Sequence, residues 1–223
     1  MCGRYALNSP MEAIAAQFEA EAEAGFEPRY NLAPTAVVPV VLAGPAGRVI
    51  TLHRWGLVPS WSKDPAMGAR LANARAETVA DKPSFRAPFK RGRCIIPADA
   101  FYEWQARPGR PKQPYCFRAV DGSILAFAGL RDRWEGPDGA LDTCTILTTT
   151  ANGLMAPIHD RMPVLLAPAD YAAWLDPGGN PERLKALLRP CPEGFLRLHP
   201  VGPRVGNARL DGPELMEPVD ADA

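Results

Sequence analysis

The chain reads as one α+β domain, mostly antiparallel sheet with a barrel-like core and peripheral helices. Three observations carry that expectation. Short runs rich in β-branched and aromatic residues recur between residues 37 and 166, bounded by Gly, Pro or Asp. Helical periodicity is confined to a few short stretches. No repeat and no compositional break divides the 223 residues, a length that supports one substantial hydrophobic core. The 25 prolines punctuate the connections. The expected domain covers residues 1–218, and residues 219–223 are expected to be a frayed tail.

In chain order, Ser9-Pro10-Met11-Glu12 predicts a helix start, with Ser9 as N-cap, Pro10 in the first helical position and Glu12 closing the cap. Met11, Ile14, Ala15 and Phe18 then recur at helical spacing and give that helix one buried face. The acidic stretch from Glu19 to Glu27 is expected in solvent. Strands are expected over residues 37–42, 49–52, 93–96, 115–120, 124–130, 142–149 and 162–166. Residues 73–80 and 151–156 are expected to be short helices. Helices are also expected over residues 168–175 and 181–188, each opening with Pro, with Asn180 capping the second.

An apolar content of 47% and a charged content of 22% are those of a globular domain. No apolar run approaches bilayer-spanning length, and the N-terminus does not read as a signal peptide. The expected setting is the cytoplasm, not the secreted compartment. The five cysteines, Cys2, Cys94, Cys116, Cys144 and Cys191, form no Cys-x-x-Cys pair. With three scattered histidines they suit neither a zinc site nor a disulfide framework, so no metal and no cofactor is expected. Net charge is zero, which argues against indiscriminate coating of nucleic acid. The charge is nonetheless uneven: residues 54–118 hold thirteen Lys and Arg against five Asp and Glu.

Cys2 follows the initiator methionine directly. Once Met1 is removed, one residue carries both an α-amine and a thiol. The amine has a pKa of about 7.7–8.0, so a fraction is nucleophilic at neutral pH. The thiol is nucleophilic when deprotonated. With an aldehyde the amine forms an imine and the thiol closes on the same carbon, giving a thiazolidine. With an amide or ester the thiol attacks and the amine is its base. The competing reading of Cys2 is a small buried residue at the start of a strand.

Three further segments join polar residues to an apolar frame. Glu103 lies between Tyr102 and Trp104, where partial burial would raise its pKa and suit it to acid–base work; the alternative is a Glu on the wet face of a strand. His159 precedes Asp160 and Arg161 and is either an acid–base group or a surface histidine. Asn73 either holds the Cys2 amine or caps a helix. Arg4, Arg75 and Arg161 either bind phosphate or pair with acids such as Asp160 and Glu77.

The chain resembles the SRAP domain family (SOS response-associated peptidase-like, abasic-site processing proteins). The resemblance rests on Met1-Cys2-Gly3-Arg4-Tyr5, Tyr30-Asn31-Leu32-Ala33-Pro34-Thr35, Arg54-Trp55-Gly56-Leu57-Val58-Pro59-Ser60-Trp61 and the segment from Asn73 to Thr78. It continues through Arg93 to Trp104, Ala128-Gly129-Leu130, His159 to Pro163 and Asp211-Gly212-Pro213-Glu214-Leu215. These strings run in family order over nearly the whole chain. Ala100 stands where the family usually has Gly, and Gly206 where Asn is common.

The resemblance implies an enzyme that recognises abasic sites in single-stranded DNA. After Met1 removal, Cys2 would couple to the ring-opened sugar as a thiazolidine DNA–protein crosslink that shields the lesion. It implies that Asn73 positions the Cys2 amine, that Glu103 is the acid–base group for ring opening, closure and reversal, and that His159 assists proton transfer. It implies DNA contacts from Arg4, Asn31, Trp61, Arg75, Arg86 and Arg161, with the protein acting as a monomer and associated with the nucleoid during DNA damage. It also implies lyase-like chemistry and thiol-dependent peptidase-type processing of the chain's own N-terminus. The rival readings are an N-terminal-cysteine amidohydrolase acting on glutamine, a peptidase acting in trans, and a non-catalytic DNA-binding module. The first lacks recognisable glutamine-binding motifs, and the second lacks a recognisable peptide pocket.

Overall fold

In the computed structural model, residues 2–137 and 139–220 are described. The strands are β1 (Arg4–Leu7), β2 (Ala20–Ala22), β3 (Arg29–Leu32), β4 (Val37–Ala43), β5 (Arg48–Trp55), β6 (Asn73–Arg75) and β7 (Arg93–Ala98). They continue with β8 (Ala100–Arg107), β9 (Arg110–Ala119), β10 (Leu125–Gly136), β11 (Gly139–Thr150), β12 (Arg161–Pro163) and β13 (Leu196–Pro200). The helices are α1 (Met11–Phe18), α2 (Arg86–Arg91), α3 (Tyr171–Leu175) and α4 (Pro181–Ala186). Among the described residues, no helix is long and apolar enough to cross a membrane.

Two sheets make the body. One is antiparallel, in the order β13-β9-β8-β1-β3. The other runs β12-β11-β10-β7-β4-β5-β2, and β11 also pairs with β5. That extra pairing closes β4, β5, β11, β10 and β7 into a five-stranded barrel, which leaves none of those five at an open edge where they pair. The expected mostly antiparallel, barrel-like α+β domain is the one observed. β6 continues beyond β5 along β11, in parallel register with Asn73 opposite Ile146 and Arg75 opposite Thr148.

The core lies where the sheets face each other. Tyr5 of β1 meets Trp55 of β5 and Phe127 of β10 edge-on, with ring centroids 5.2 Å and 5.7 Å apart. Phe101 of β8 stacks on Phe117 of β9 at 4.8 Å and turns its face to Phe127 at 6.0 Å. All five rings are fully buried, and these geometries are the favoured ones for aromatic pairs. Helix α1 adds Ile14 and Phe18 to the core, as the spacing predicts. Phe18 stacks on Tyr171 of α3 at 5.3 Å.

One residue, Asp99, joins the barrel to the flat sheet, and it explains a departure from expectation. Its buried carboxylate accepts the Asn8 N–H at 2.6 Å, the Ser9 N–H at 2.7 Å and the Ser9 hydroxyl at 2.6 Å. Ser9 therefore does not cap α1; Pro10 occupies the N-cap position, with no side-chain cap. A carboxylate taken out of water needs donors more than an exposed helix end does.

Three other expectations change. Residues 73–80 are not a helix: the first three add a strand to β11 and the rest turn. Residues 151–156 form turns, with Ala151 N–H bonded to Asp160 O at 3.0 Å. Part of the acidic stretch is strand β2, parallel to β5. The helix expected over residues 181–188 is α4, where Asn180 caps by accepting from Glu182 and Arg183 N–H. Of the expected tail, residues 219 and 220 are described, with Val219 N–H bonded to Pro200 O at 3.0 Å; residues 221–223 lie outside the described residues.

Candidate active site

Cys2 enters β1, the central-to-edge strand of the flat sheet. In the β1–β8 pairing Ala6 faces Ala100, Tyr5 faces Phe101 and Arg4 faces Tyr102. One more step brings Glu103 opposite Gly3, next to Cys2. Both side chains are buried: Cys2 is 0% exposed and Glu103 3%. The Cys2 thiol lies 3.9 Å from Arg4 O.

Asn73 approaches from the barrel side. Its amide Nδ2 donates to Cys2 O at 2.9 Å, which orients the amide and leaves Oδ1 buried with no hydrogen-bond partner among the described residues. The resemblance implies that Asn73 holds the Cys2 amine; the observed bond is to the carbonyl of the same residue. β6 carries Asn73 here because Ile146 and Thr148 of β11 offer it a free strand edge.

His159 lies between the end of β11 and β12. Its Nδ1 accepts the Arg161 N–H at 3.0 Å, so in the neutral ring the proton sits on Nε2. Asp160 Oδ1 is also 3.0 Å from Nδ1. That contact is an ion pair only in the charged ring, and the exposed Asp160 carboxylate contributes little there.

Electrostatics tie the groups together. Burial raises the Glu103 carboxyl above the usual carboxylate range, and the nearby His159 opposes the shift. Burial, then the Glu103 charge, pushes the Cys2 thiol far above its ordinary value. At rest the pair is a neutral thiol beside a carboxyl held toward protonation. Cys2, Asn73, Glu103 and His159, far apart in sequence, thus form one cluster.

The residues expected to touch DNA divide into two groups. Arg75 and Arg86 are exposed, and their side chains make no hydrogen bond or ion pair with a described residue. Trp61 is 56% exposed. Arg4, Asn31 and Arg161 are hydrogen-bonded within the protein. Arg4 donates to Asn31 Oδ1, Val205 O and Gly206 O at 2.9–3.0 Å. Asn31, 1% exposed, donates to Asn207 O and Leu210 O at 3.0 and 2.9 Å. Arg161 forks onto Glu77 at 2.6 and 2.9 Å and donates to Thr148 O at 2.6 Å. Sequence reasoning gave no role to Asp211, which accepts the Tyr30 N–H at 2.6 Å and pairs with Arg29. The string from Asp211 to Leu215 was its only signal.

Fold and site define a single barrel-and-sheet domain with a buried cluster of Cys2, Asn73, Glu103 and His159 at its N-terminal strand. The family model described as SOS response associated peptidase (SRAP) matches residues 1–208, and the chain belongs to that family. It is 40% identical over 222 residues to "Abasic site processing protein YoqW" of Bacillus subtilis (strain 168), covering 97% of this chain and 99% of that protein. It is 36% identical over 233 residues to "Abasic site processing protein HMCES" of Gallus gallus, covering 89% and 68%. A crystal structure of a Bacteroides thetaiotaomicron protein superposes with a TM-score of 0.90 over 98% of this chain and 100% of that one, at 24% identity, and shows the shared fold. A Bordetella bronchiseptica protein superposes with a TM-score of 0.80 at 29% identity over 90% of this chain and 100% of that one.

Proposed function

We propose that this chain recognises abasic sites in single-stranded DNA and, once Met1 is removed, joins Cys2 covalently to the opened sugar as a thiazolidine. The observation that carries the reading is the seat of residue 2, held by Asn73 beside Glu103 and His159. The names of the 32–40% identical relatives support the substrate class.

The chemistry follows from the protonation states. The freed Cys2 amine adds to the sugar aldehyde and gives a carbinolamine. Protonated Glu103 donates to the carbinolamine hydroxyl, water leaves, and an iminium remains. The Cys2 sulfur then attacks the same carbon, and the thiol proton returns to the Glu103 carboxylate. One C–N and one C–S bond form, one water is lost, and Glu103 ends protonated as it began. A resting thiol with a raised pKa fits this order, because the iminium creates the demand for the thiolate at the moment of ring closure. Asn73 Oδ1, buried without a partner, is the acceptor assigned to the freed amine. His159, with its proton on Nε2, assists ring opening of the sugar. Holding both partners in place removes much of the entropic barrier.

Intact mass spectrometry with and without abasic single-stranded DNA tests the reading. The expected spectrum shows loss of Met1 and, with damaged DNA, one adduct per chain, short of the summed masses by one water. Cys2→Ser should bind the same DNA and give no stable adduct. A protein that retains Met1, or an adduct that survives Cys2→Ser, refutes the assignment.

A further inference from the structure

A second surface lies on the connection that leaves the site. Beyond Arg75 the chain turns through Ala80 into α2 and re-enters the barrel at β7. Three adjoining depressions follow α2. One, of about 460 Å³, is lined by Ala80, Arg86, Lys90 and Arg91. The next, of about 170 Å³, lies between Arg91 and Gly92 on one side and Ser60 and residues 131–133 of β10 on the other. The third places Arg91, Arg93 and Arg131 together.

The geometry forces two cations close. Arg131 N–H donates to Gly92 O at 2.6 Å, and a Cβ on Gly92 would stand 2.3 Å from Arg131 O. Only glycine lets the end of α2 meet β10 so closely, and the consequence is that Arg91 and Arg131 share a cleft. Neither side chain, nor that of Arg86 or Lys90, makes a hydrogen bond or ion pair with a described residue. Arg93 is different: its guanidinium is spent on the carbonyls of Phe89, Lys90, Trp174 and Asp176. The one acid lining these depressions, Asp132, already accepts Ser60 N–H and Arg133 N–H at 3.0 Å each. Arg133 in turn is engaged by Glu135 and Asp142.

We infer that this cleft holds the phosphodiester backbone of the single strand flanking the lesion, with Arg91 and Arg131 as its principal phosphate ligands. Unpaired guanidiniums facing one cleft are the fork that phosphate oxygens fit. The rim favours an unpaired strand. Ser60 and Ser62 of the neighbouring loop are pinned to Asp132 and Trp134, and the exposed Trp61 between them offers a base a stacking surface. The inference rests on the function proposed above, and it adds to that reading two residues that hold the strand away from the lesion itself.

The test measures anisotropy of labelled strands, intact or abasic, that end at the lesion or extend beyond it on one side. Wild type should bind the extended single strand more tightly than the short one. Arg91→Ala with Arg131→Ala should abolish that advantage and lower the salt slope by about 1.4, two single-strand phosphates at about 0.7 each. Its crosslinking of the short strand should stay at the wild-type rate. Arg91→Lys with Arg131→Lys should keep most of the slope, which separates lost charge from lost fold. Arg183→Ala with Arg197→Ala, on α4 and β13, should keep the advantage. An advantage that survives the double alanine variant, or falls equally in the α4/β13 control, overturns the inference. So does a base-paired extension that gains as much through the same two arginines, since the occupant is then duplex. Absence of any adduct with abasic DNA refutes the proposed function alone; the length advantage on intact strands still reads the cleft.

Discussion

Glu103 shows how a single buried carboxyl serves the proposed chemistry at a cost to the fold. Its folded pKa is raised by burial, so the folded state favours the proton more than the unfolded state does. Below the unfolded value of about 4.3 the residue is neutral in both states. As pH rises from there through the folded value, ionisation destabilises the fold. Glu103→Gln should therefore be more stable than wild type at pH 7, with the gain disappearing near pH 4; urea unfolding at the two values reads it. The same variant should form adduct about 100-fold or more slowly, the usual share of a positioned acid–base group. A variant with wild-type rate and a pH-independent stability difference would remove Glu103 from both roles. Asn73→Ala should slow adduct formation while leaving DNA affinity nearly intact, since its contact is to the Cys2 backbone; a change confined to affinity would reassign it.

At the level of elements, the short strand β6 and the β12 turn are clamped by one residue. Arg161 holds Glu77, just past β6, and Thr148 O on β11, and its side chain is only 12% exposed. Hydrogen bonds from a charged, largely buried donor contribute more than a surface ion pair does. Arg161→Ala should cost about 1–2 kcal/mol in equilibrium unfolding and shift the salt dependence of DNA binding little. Arg75, one strand away, exposed and with no hydrogen bond or ion pair to a described residue, should behave oppositely: Arg75→Ala should leave stability within about 0.5 kcal/mol of wild type and lower the salt slope by about 0.7. Equal slopes in Arg75→Ala and wild type would exclude a phosphate contact at that position. Burial, not residue type, separates these two arginines. In the linear chain, Arg75 and Arg161 look alike, each within two residues of an acid.

Across the whole molecule, the C-terminal segment straps β1, the strand that Cys2 enters. Arg4, Asn31 and Asp211 tie residues 205–211 to β1 and β3. Asn31→Ala strips one acceptor from Arg4 and donors from two carbonyls. It should cost about 2 kcal/mol or more, the scale of buried polar groups left unpaired, and should slow adduct formation by loosening β1. Wild-type stability in Asn31→Ala would show that the strap bears no weight. Phe127, which touches rings of both β1 and β8, joins barrel to sheet. Phe127→Ala should cost about 3–5 kcal/mol.

Fold class, most of the strands, the buried face of α1 and the Asn180 cap are legible in the linear chain, and the family resemblance singles out the four residues that the fold brings together around Cys2. Strand periodicity, cap chemistry and ordered motif strings are local signals, and each can be read without knowing what lies across the molecule. That residues 73–75 form a strand is not legible there, because the free edge of β11 that recruits them is about seventy residues away in the chain. The same packing sets Ser9 on Asp99 and not on a helix, puts Asn73 on a carbonyl, and makes fasteners of Arg4 and Arg161, while the side chains of Arg91 and Arg131 make no hydrogen bond or ion pair with a described residue. The physical reason is common to all of these. A polar group's role is set by which partner remains unsatisfied after the chain has packed, and that partner is chosen by long-range pairing, which no local pattern records.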